Sequence, residues 1–354
     1  MIAAKFGGSC LADSESILQA CRCIRADERR QVIVVSAPGR RYPEDKKMTD
    51  LLYDIWALCS RGLSAWEPWQ KFCVRWQSIQ SGCGVQMDLQ GQLDEIYAGL
   101  NRNTPCDWLV SRGEWLMAKV MARLLGYDFV DAARWLSMDA DGHIQYEASR
   151  QLLRKLVAGR HIVTPGFYGA DEKGNIHTLT RGGSDVTGAL AAAFLQAERY
   201  ENWTDTPGIL MADPRIVPEA RPIEVISGRQ LEQMAAMGLQ VMHPDAVGPV
   251  KKAGIRMQVR SLFQMQTPGT MVLPGRAKIA SCVMKALPED YTDCRIVIFD
   301  RKKNLEKIRL FAKKEGWSWE ICQQRGGKLE AICPAACADE LVRGIGRLQC
   351  GSGS

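Results

Sequence analysis

Apolar runs of strand length recur along this chain between stretches of helical periodicity, and that alternation admits few folds. Residues 2–6 read as a strand, and residues 31–36 (QVIVVS) as a second, buried one. Between them, residues 14–27 read as a helix opened by the Asp13-Ser14 cap signal. Residues 50–125 are mainly helical, with Trp56, Trp66, Trp69 and Trp76 on apolar stripes that belong to a core rather than to a ligand platform. Further strands are predicted at 128–130, 162–165 and 199–204, with a helix from near Ser184 to about Ala197. Two helices and two strands then lead to Pro268-Gly269-Thr270, and Pro274-Gly275-Arg276 marks a domain boundary. The fold class is α/β, a mostly parallel central sheet between helical layers over residues 1–274.

Beyond the boundary the pattern changes. Residues 294–299, 318–323 and 328–333 are strand-like, 304–314 and 338–348 helical, with a hairpin signal at Gly326-Gly327. This is one small α+β unit over 277–350, ordered strand–helix–strand–strand–helix, without a final strand. The closing Gly351-Ser352-Gly353-Ser354 reads as an appended tail.

Composition removes several function classes. The 354 residues suffice for two ordinary domains, and 46% hydrophobic with 24% charged residues is usual for a soluble globular chain. No apolar run approaches the roughly 20 residues of a membrane helix, so no membrane partner is expected. Met1 to Lys5 lacks the basic and apolar regions of a signal peptide. The thirteen cysteines are scattered: Cys21 and Cys23 are separated by one residue, and Cys333 and Cys337 stand at a helical spacing. None belongs to a zinc-type array, so reduced thiols in a cytoplasm are expected. The net charge of +6 owes much to Arg301-Lys302-Lys303 and Lys313-Lys314, which read as solvated faces rather than a nucleic-acid surface.

Chemistry concentrates where strands end, the edge at which open α/β sheets bind ligands. Lys5-Phe6-Gly7-Gly8-Ser9 suits a phosphate site, since glycines let backbone N–H groups approach oxygens. By itself it fits a tight turn equally well. Ser36-Ala37-Pro38-Gly39, with Thr49-Asp50 further on, offers hydroxyls for an anion, though a helix cap explains them better. Glu114 in Ser111-Arg112-Gly113-Glu114 could accept from a substrate ammonium, or be an ordinary first-turn glutamate. The strongest cluster is Gly166-Phe167 followed by Thr180-Arg181-Gly182-Gly183-Ser184-Asp185. There an arginine fork suited to a carboxylate meets a glycine pair at a helix start. Trp203-Thr204-Asp205-Thr206-Pro207-Gly208, with Asp213-Pro214-Arg215, fits a nucleotide loop and an ordinary turn equally.

In this order the segments KFGGS, VVSAPG, SRGE, GFYG, TRGGSD, WTDTPG, DPR, MHP and PGT resemble the aspartokinases of the amino-acid kinase superfamily, most closely those of clostridial type. The likeness covers residues 1 to about 272. It implies ATP and L-aspartate as substrates, with Mg²⁺ carried on the nucleotide phosphates and no metal ligands from the protein. Lys5 would bridge the transferring phosphoryl group, with Gly7, Gly8 and Ser9 as its cradle and Asp185 positioning Lys5. Ser36, Thr49 and Phe167 would lie near the acceptor, and Glu114 would bind its amino group. Arg181, with Ser184 alongside, would grip its α-carboxylate. Thr204, Asp205, Asp213 and Arg215 would bind the nucleotide. His243 reads as a turn or core histidine. The chain departs from many relatives at Leu210, Gln240 and Thr180, where they carry tyrosine, lysine and glycine. Relatives typically end in two ACT domains, whereas 277–350 holds about one, which implies a homodimer. The competing readings are a kinase for another small amino acid or carboxylate, and a non-catalytic amino-acid sensor.

Overall fold

All five residues of the first strand, IAAKF, are buried, so it can only lie inside a sheet with cover on both faces. The computed structural model describes residues 1–179, 182–236, 244–286, 293–325 and 327–351, in two compact units, 1–205 and 206–354.

In the first unit, β1 (Ile2–Phe6) is followed by α1 (Ser14–Arg25) and β2 (Arg30–Val35). A helical block comes next: α2 (Met48–Cys59), α3 (Trp66–Cys83), α4 (Leu89–Ala98), α5 (Cys106–Val110) and α6 (Arg112–Leu125). Then come β3 (Asp128–Phe129), α7 (Tyr146–Val157), β4 (Ile162–Pro165) and a hairpin of β5 (Tyr168–Ala170) and β6 (Ile176–Thr178). α8 (Gly183–Leu195) and β7 (Arg199–Thr204) complete the unit. Its sheet runs β3-β4-β2-β1-β7 with every neighbouring pair parallel, as helical crossovers require. The cap signal before α1 is real, because Asp13 accepts from the Ser16 N–H at 2.9 Å. The tryptophan stripe holds only in part. Trp69 and Trp76 are buried and Trp56 is half-buried, but Trp66 is 51% exposed and rests edge-on against Tyr97. It opens α3, where the helix projects beyond its neighbours' cover.

In the second unit, β8 (Val225–Ser227), α9 (Gly228–Ala236), α10 (Val247–Lys252), β9 (Arg256–Ser261) and β10 (Thr270–Leu273) come first. β10 pairs antiparallel with β9 and parallel with β8. The Pro274-Gly275-Arg276 punctuation falls inside this unit. After it come β11 (Cys282–Ala286), β12 (Asp293–Phe299), α11 (Lys302–Lys314), β13 (Glu320–Arg325), β14 (Lys328–Pro334) and α12 (Ala338–Gly351). They form an ACT-like α+β unit with an antiparallel sheet ordered β11-β12-β14-β13.

β11 corrects the sequence expectation. The sheet does not stop at three strands, because a segment preceding β12 supplies the edge expected of a final strand. Val283, Ile296, Ile298, Leu329 and Ala331 pack with Leu305 and Ile308 of α11 and Leu341, Val342 and Ile345 of α12. Val217, from the loop before β8, joins that core against Gly346. Gly351, assigned to a tail, closes α12. Cys333 lies in β14 and Cys337 in the turn after it, so their spacing is not helical, and all thirteen cysteines are free. Among the described residues no helix is long and apolar enough to cross a membrane.

Candidate active site

Four strands of the first unit end level with one another. Phe6 is aligned with Val35 and Trp203, and Val35 with Pro165. Consequently Gly7–Ser9, Ser36–Gly39, Gly166–Phe167 and Thr204–Asp205 emerge together at the carboxyl edge. Short backbone bonds join them: Gly7 N–H to Trp203 C=O at 3.0 Å, Gly166 N–H to Val35 C=O at 2.9 Å, and Gly39 N–H to Gly8 C=O at 2.8 Å. A Cβ on Gly39 would lie 2.6 Å from the Gly8 carbonyl carbon, so the two turns touch backbone to backbone and neither tolerates a side chain there. The amides of Gly8 and Ser9 have no carbonyl partner among the described residues.

Lys5 and Asp185 form the electrostatic centre. Lys5 Nζ lies 2.6 Å from Asp185 Oδ1, and each residue is only 8% exposed. An ion pair this dry is costly to separate but adds little net stability. α8 delivers Asp185 because Gly188 lets the helix settle on the sheet: a Cβ there would sit 2.7 Å from the Tyr200 hydroxyl and 3.0 Å from Lys5 Cβ. Tyr200 O–H donates to the Asp185 backbone carbonyl at 3.2 Å, and Asn202 Nδ2 to the Asp185 carboxylate at 3.1 Å.

Glu114 sits in the first turn of α6, which packs through Gly113 on Ala37 beside Ser36. Its carboxyl is buried, and Oε2 has no partner among the described residues. Burial pushes it up to about 8, against the smaller pull of the Ala37 and Glu114 backbone amides. An acid in that state lacks a cation.

Phe167 adopts φ 80, a left-handed backbone that costs a non-glycine residue about 1–3 kcal/mol. Two bonds hold it there. Its N–H donates to Thr187 Oγ1 at 3.1 Å, and its carbonyl accepts from Leu179 N–H at 2.7 Å. Ser184 is buried in the first turn of α8 against Gly166. Thr49 is half-buried in the first turn of α2, whose Met48 N–H bonds the Pro38 carbonyl at 3.3 Å. Thr204 Oγ1 donates to the exposed Asp205 at 3.0 Å.

The remaining predicted residues lie outside the first unit or outside the described residues. Asp213 and Arg215 belong to the second unit and pair with each other at 2.7 Å. Arg181 and Thr180 lie outside the described residues, as do Gln240 and His243. Conversely, Asn202 and Arg75 matter here without having been singled out in the sequence. Arg75, from α3, is buried and donates to the carbonyls of Ala12 at 3.1 Å, Gly39 at 2.9 Å and Lys46 at 2.8 Å. It thereby ties the stretch after the glycine cradle to the Gly39 loop. An arginine on a helix usually reads as solvated, which hid this role. Asn202 left one signal, an amide inside a strand otherwise rich in aromatics.

The edge can therefore hold an anion near Lys5 and the glycine amides, and a cation at Glu114. Among the described residues only Asp139, Asp141 and His143 cluster as metal ligands might, on a loop before α7.

Known proteins share both sequence and fold with this chain. Aspartokinase 3 of Bacillus subtilis is 29% identical over 317 residues, covering 85% of this chain and 70% of that protein. The lysine-sensitive aspartokinase 3 of Escherichia coli is 29% identical over 300 residues, covering 77% of this chain and 64% of that protein. In fold, the chain is similar to the aspartate kinase of Clostridium acetobutylicum, with TM-score 0.87 and 24% identity over 98% of this chain and 100% of that one. It is also similar to E. coli aspartokinase III solved with aspartate and ADP, at TM-score 0.70 and 22% identity over 95% and 79% of the two chains. Residues 1–261 match the Amino acid kinase family, and the chain belongs to that family.

Proposed function

We propose that this chain is an aspartokinase, transferring the γ-phosphoryl group of ATP to the side-chain carboxylate of L-aspartate. The observation that carries the reading is the buried Lys5–Asp185 pair at the carboxyl edge, beside a glycine cradle in which the Gly8 and Ser9 amides bond no carbonyl among the described residues. The buried Glu114, whose Oε2 has no partner among the described residues, favours an acceptor that brings an ammonium group.

The chemistry asks little of side chains as acids or bases. An aspartate carboxyl in water ionises at about pH 3.9, so the acceptor is already a carboxylate near neutrality and no general base is required. A carboxylate oxygen attacks the γ-phosphorus as the bond to the β,γ-bridging oxygen breaks. ADP leaves, and the product is the acyl phosphate 4-phospho-L-aspartate. The obstacle is bringing two anions together, and positioning with fixed positive charge answers it. Lys5 meets the charge on the phosphoryl group, Asp185 holds Lys5, and Gly7, Gly8 and Ser9 cradle the phosphates. Glu114 takes the α-ammonium and Arg181 the α-carboxylate, with Ser36, Thr49, Phe167 and Ser184 lining the acceptor. Thr204, Asp205, Asp213 and Arg215 serve the nucleotide. Mg²⁺ would ride on the phosphates and neutralise their charge.

Residues 1–274 act as the catalytic region and 277–350 as an ACT-like region that pairs with a second copy in a cytoplasmic homodimer. The test is ATP-dependent hydroxamate formation with L-aspartate, D-aspartate and L-glutamate, with light scattering for mass. L-Aspartate should be strongly preferred and the mass that of a dimer. Equal use of glutamate would replace the acceptor assignment, and no turnover with any amino acid would favour a sensor.

A further inference from the structure

β7 turns two side chains toward the start of α8 from one face, Tyr200 and Asn202, two residues apart. Tyr200 holds the backbone of Asp185, while Asn202 holds its carboxylate. The oxygen that Asn202 reaches, Oδ1, is the same one that binds Lys5 Nζ at 2.6 Å. Lys5 and Asn202 are moreover register partners on adjacent strands. Two donors far apart in sequence thus converge on one oxygen of a third residue.

The orientation of the amide follows from its partner. Turned the other way, Asn202 would set its carbonyl oxygen against the carboxylate, so the NH₂ end must face Asp185. Its own Oδ1 is then left buried and without a partner among the described residues, and the residue is only 1% exposed. An apolar strand former would spare the chain that unpaired oxygen. A residue that costs stability, yet spends its side-chain hydrogen bond on the partner of Lys5, marks a functional constraint.

We propose that Asn202 is a positioning residue: its amide fixes the Asp185 carboxylate and, through it, the placement of the Lys5 ammonium. A carboxylate held by one flexible lysine can swing with it. A second donor, mounted on a rigid strand and bound to the same oxygen, removes that freedom where tenths of an ångström matter. This inference rests on the phosphotransfer reading of the site.

The experiment compares Asn202→Leu and Asn202→Asp with the wild type, alone and with Asp185→Asn. Asn202→Leu should lower kcat about 10- to 100-fold, the scale of one charge-assisted hydrogen bond, with both KM values within about twofold. Its thermal midpoint should hold or rise. In the Asp185→Asn background the same change should add little. Position 202 faces Asp185 from α8 and Lys5 from β1, with Tyr200 adjacent on β7. At neutral pH Asn202→Asp should therefore be more impaired than Asn202→Leu, because two carboxylates meet. It should recover as pH falls, because a protonated carboxyl donates as the amide does. Unchanged kcat in Asn202→Leu, or a loss matched by a falling midpoint and additive with Asp185→Asn, would overturn the proposal. A wild type without kinase activity would instead sink the functional reading. Acylation of Lys5 by an amine-reactive ester, followed by mass spectrometry, still decides the positioning role in that case. It should accelerate in Asn202→Leu, and an unchanged rate would refute the role.

Discussion

The carboxyl edge of the first unit and the ACT-like sandwich of the second are built on opposite principles. Among the described residues the first unit buries Lys5, Arg30, Arg75, Arg112, Glu114, Asp185 and Glu201, whereas the second buries Asp300 alone of the acids and bases. Asp300 is saturated, accepting from Ser281, Asn304 and Gln349 and from the Arg301 amide. Glu114 is left wanting. The sandwich is held by aliphatic interdigitation, which is nearly free of conflict. The edge leaves one buried carboxyl oxygen, Glu114 Oε2, without a partner among the described residues. An acid buried without a cation among the described residues thus sets the first unit apart from the second, whose buried acid is fully hydrogen-bonded.

Lys5→Ala should sharpen that contrast most. Turnover should fall roughly 10²- to 10³-fold with the fold retained, checked by hydroxamate assay and circular dichroism. Lys328→Ala, which removes an ion pair with Glu330 on the small sheet, should leave kcat within about twofold. Near-normal turnover in the first variant would take Lys5 out of the site.

Glu114 tests the same idea through pH. Its folded pKa of about 8 lies above the ordinary 4.5, so the folded chain keeps a proton that the unfolded chain loses. Stability of the ligand-free protein should be greatest below about 4.5 as far as this group is concerned. It should decline as pH rises to about 8, by up to about 1.4 kcal/mol per pH unit. Glu114→Gln should abolish that decline in denaturant titrations and raise KM for L-aspartate. In the wild type that KM should fall toward pH 8, as the carboxylate that receives the ammonium forms.

Ile296→Ala probes the other side of the comparison. Truncating a fully buried core side chain should cost about 2–5 kcal/mol of unfolding free energy, with kcat unchanged below the transition. A change in kcat at constant fold would show that the sandwich does more than hold itself together. The smallest effect belongs to Trp66→Ser, within about 0.5 kcal/mol because the ring is exposed. Trp76→Ala, on the same helix but fully buried, should cost about 3–5 kcal/mol.

Much of this architecture was legible in the chain because its signals are local. Strand-length apolar runs located β1, β2, β4 and β7 within a residue of their ends, and the glycine pairs after Phe6 and Arg181 fell at the end of β1 and the start of α8. Where the reading failed, the deciding contacts were remote. β11 is a short run that becomes a strand only because β12 offers it an open edge. Trp66 shares the periodicity of Trp69, yet periodicity says nothing of where a neighbour's cover ends.

The sequence by itself determined the order of elements and the residue types available at each strand end, since both follow from side-chain spacing and backbone preference. Only the tertiary structure decided which of those residues are dry and what they face. Lys5, Asp185 and Asn202 share one carboxylate oxygen because α8 settles on β1 and β7 over Gly188. Glu114 stays protonated toward neutral pH because α6 packs it away from water against Ala37. Arg75 gathers the Ala12, Gly39 and Lys46 carbonyls because α3 passes beneath all of them. Desolvation and hydrogen bonding depend on what surrounds a group in space, and in this chain that is supplied by residues tens to nearly two hundred positions away.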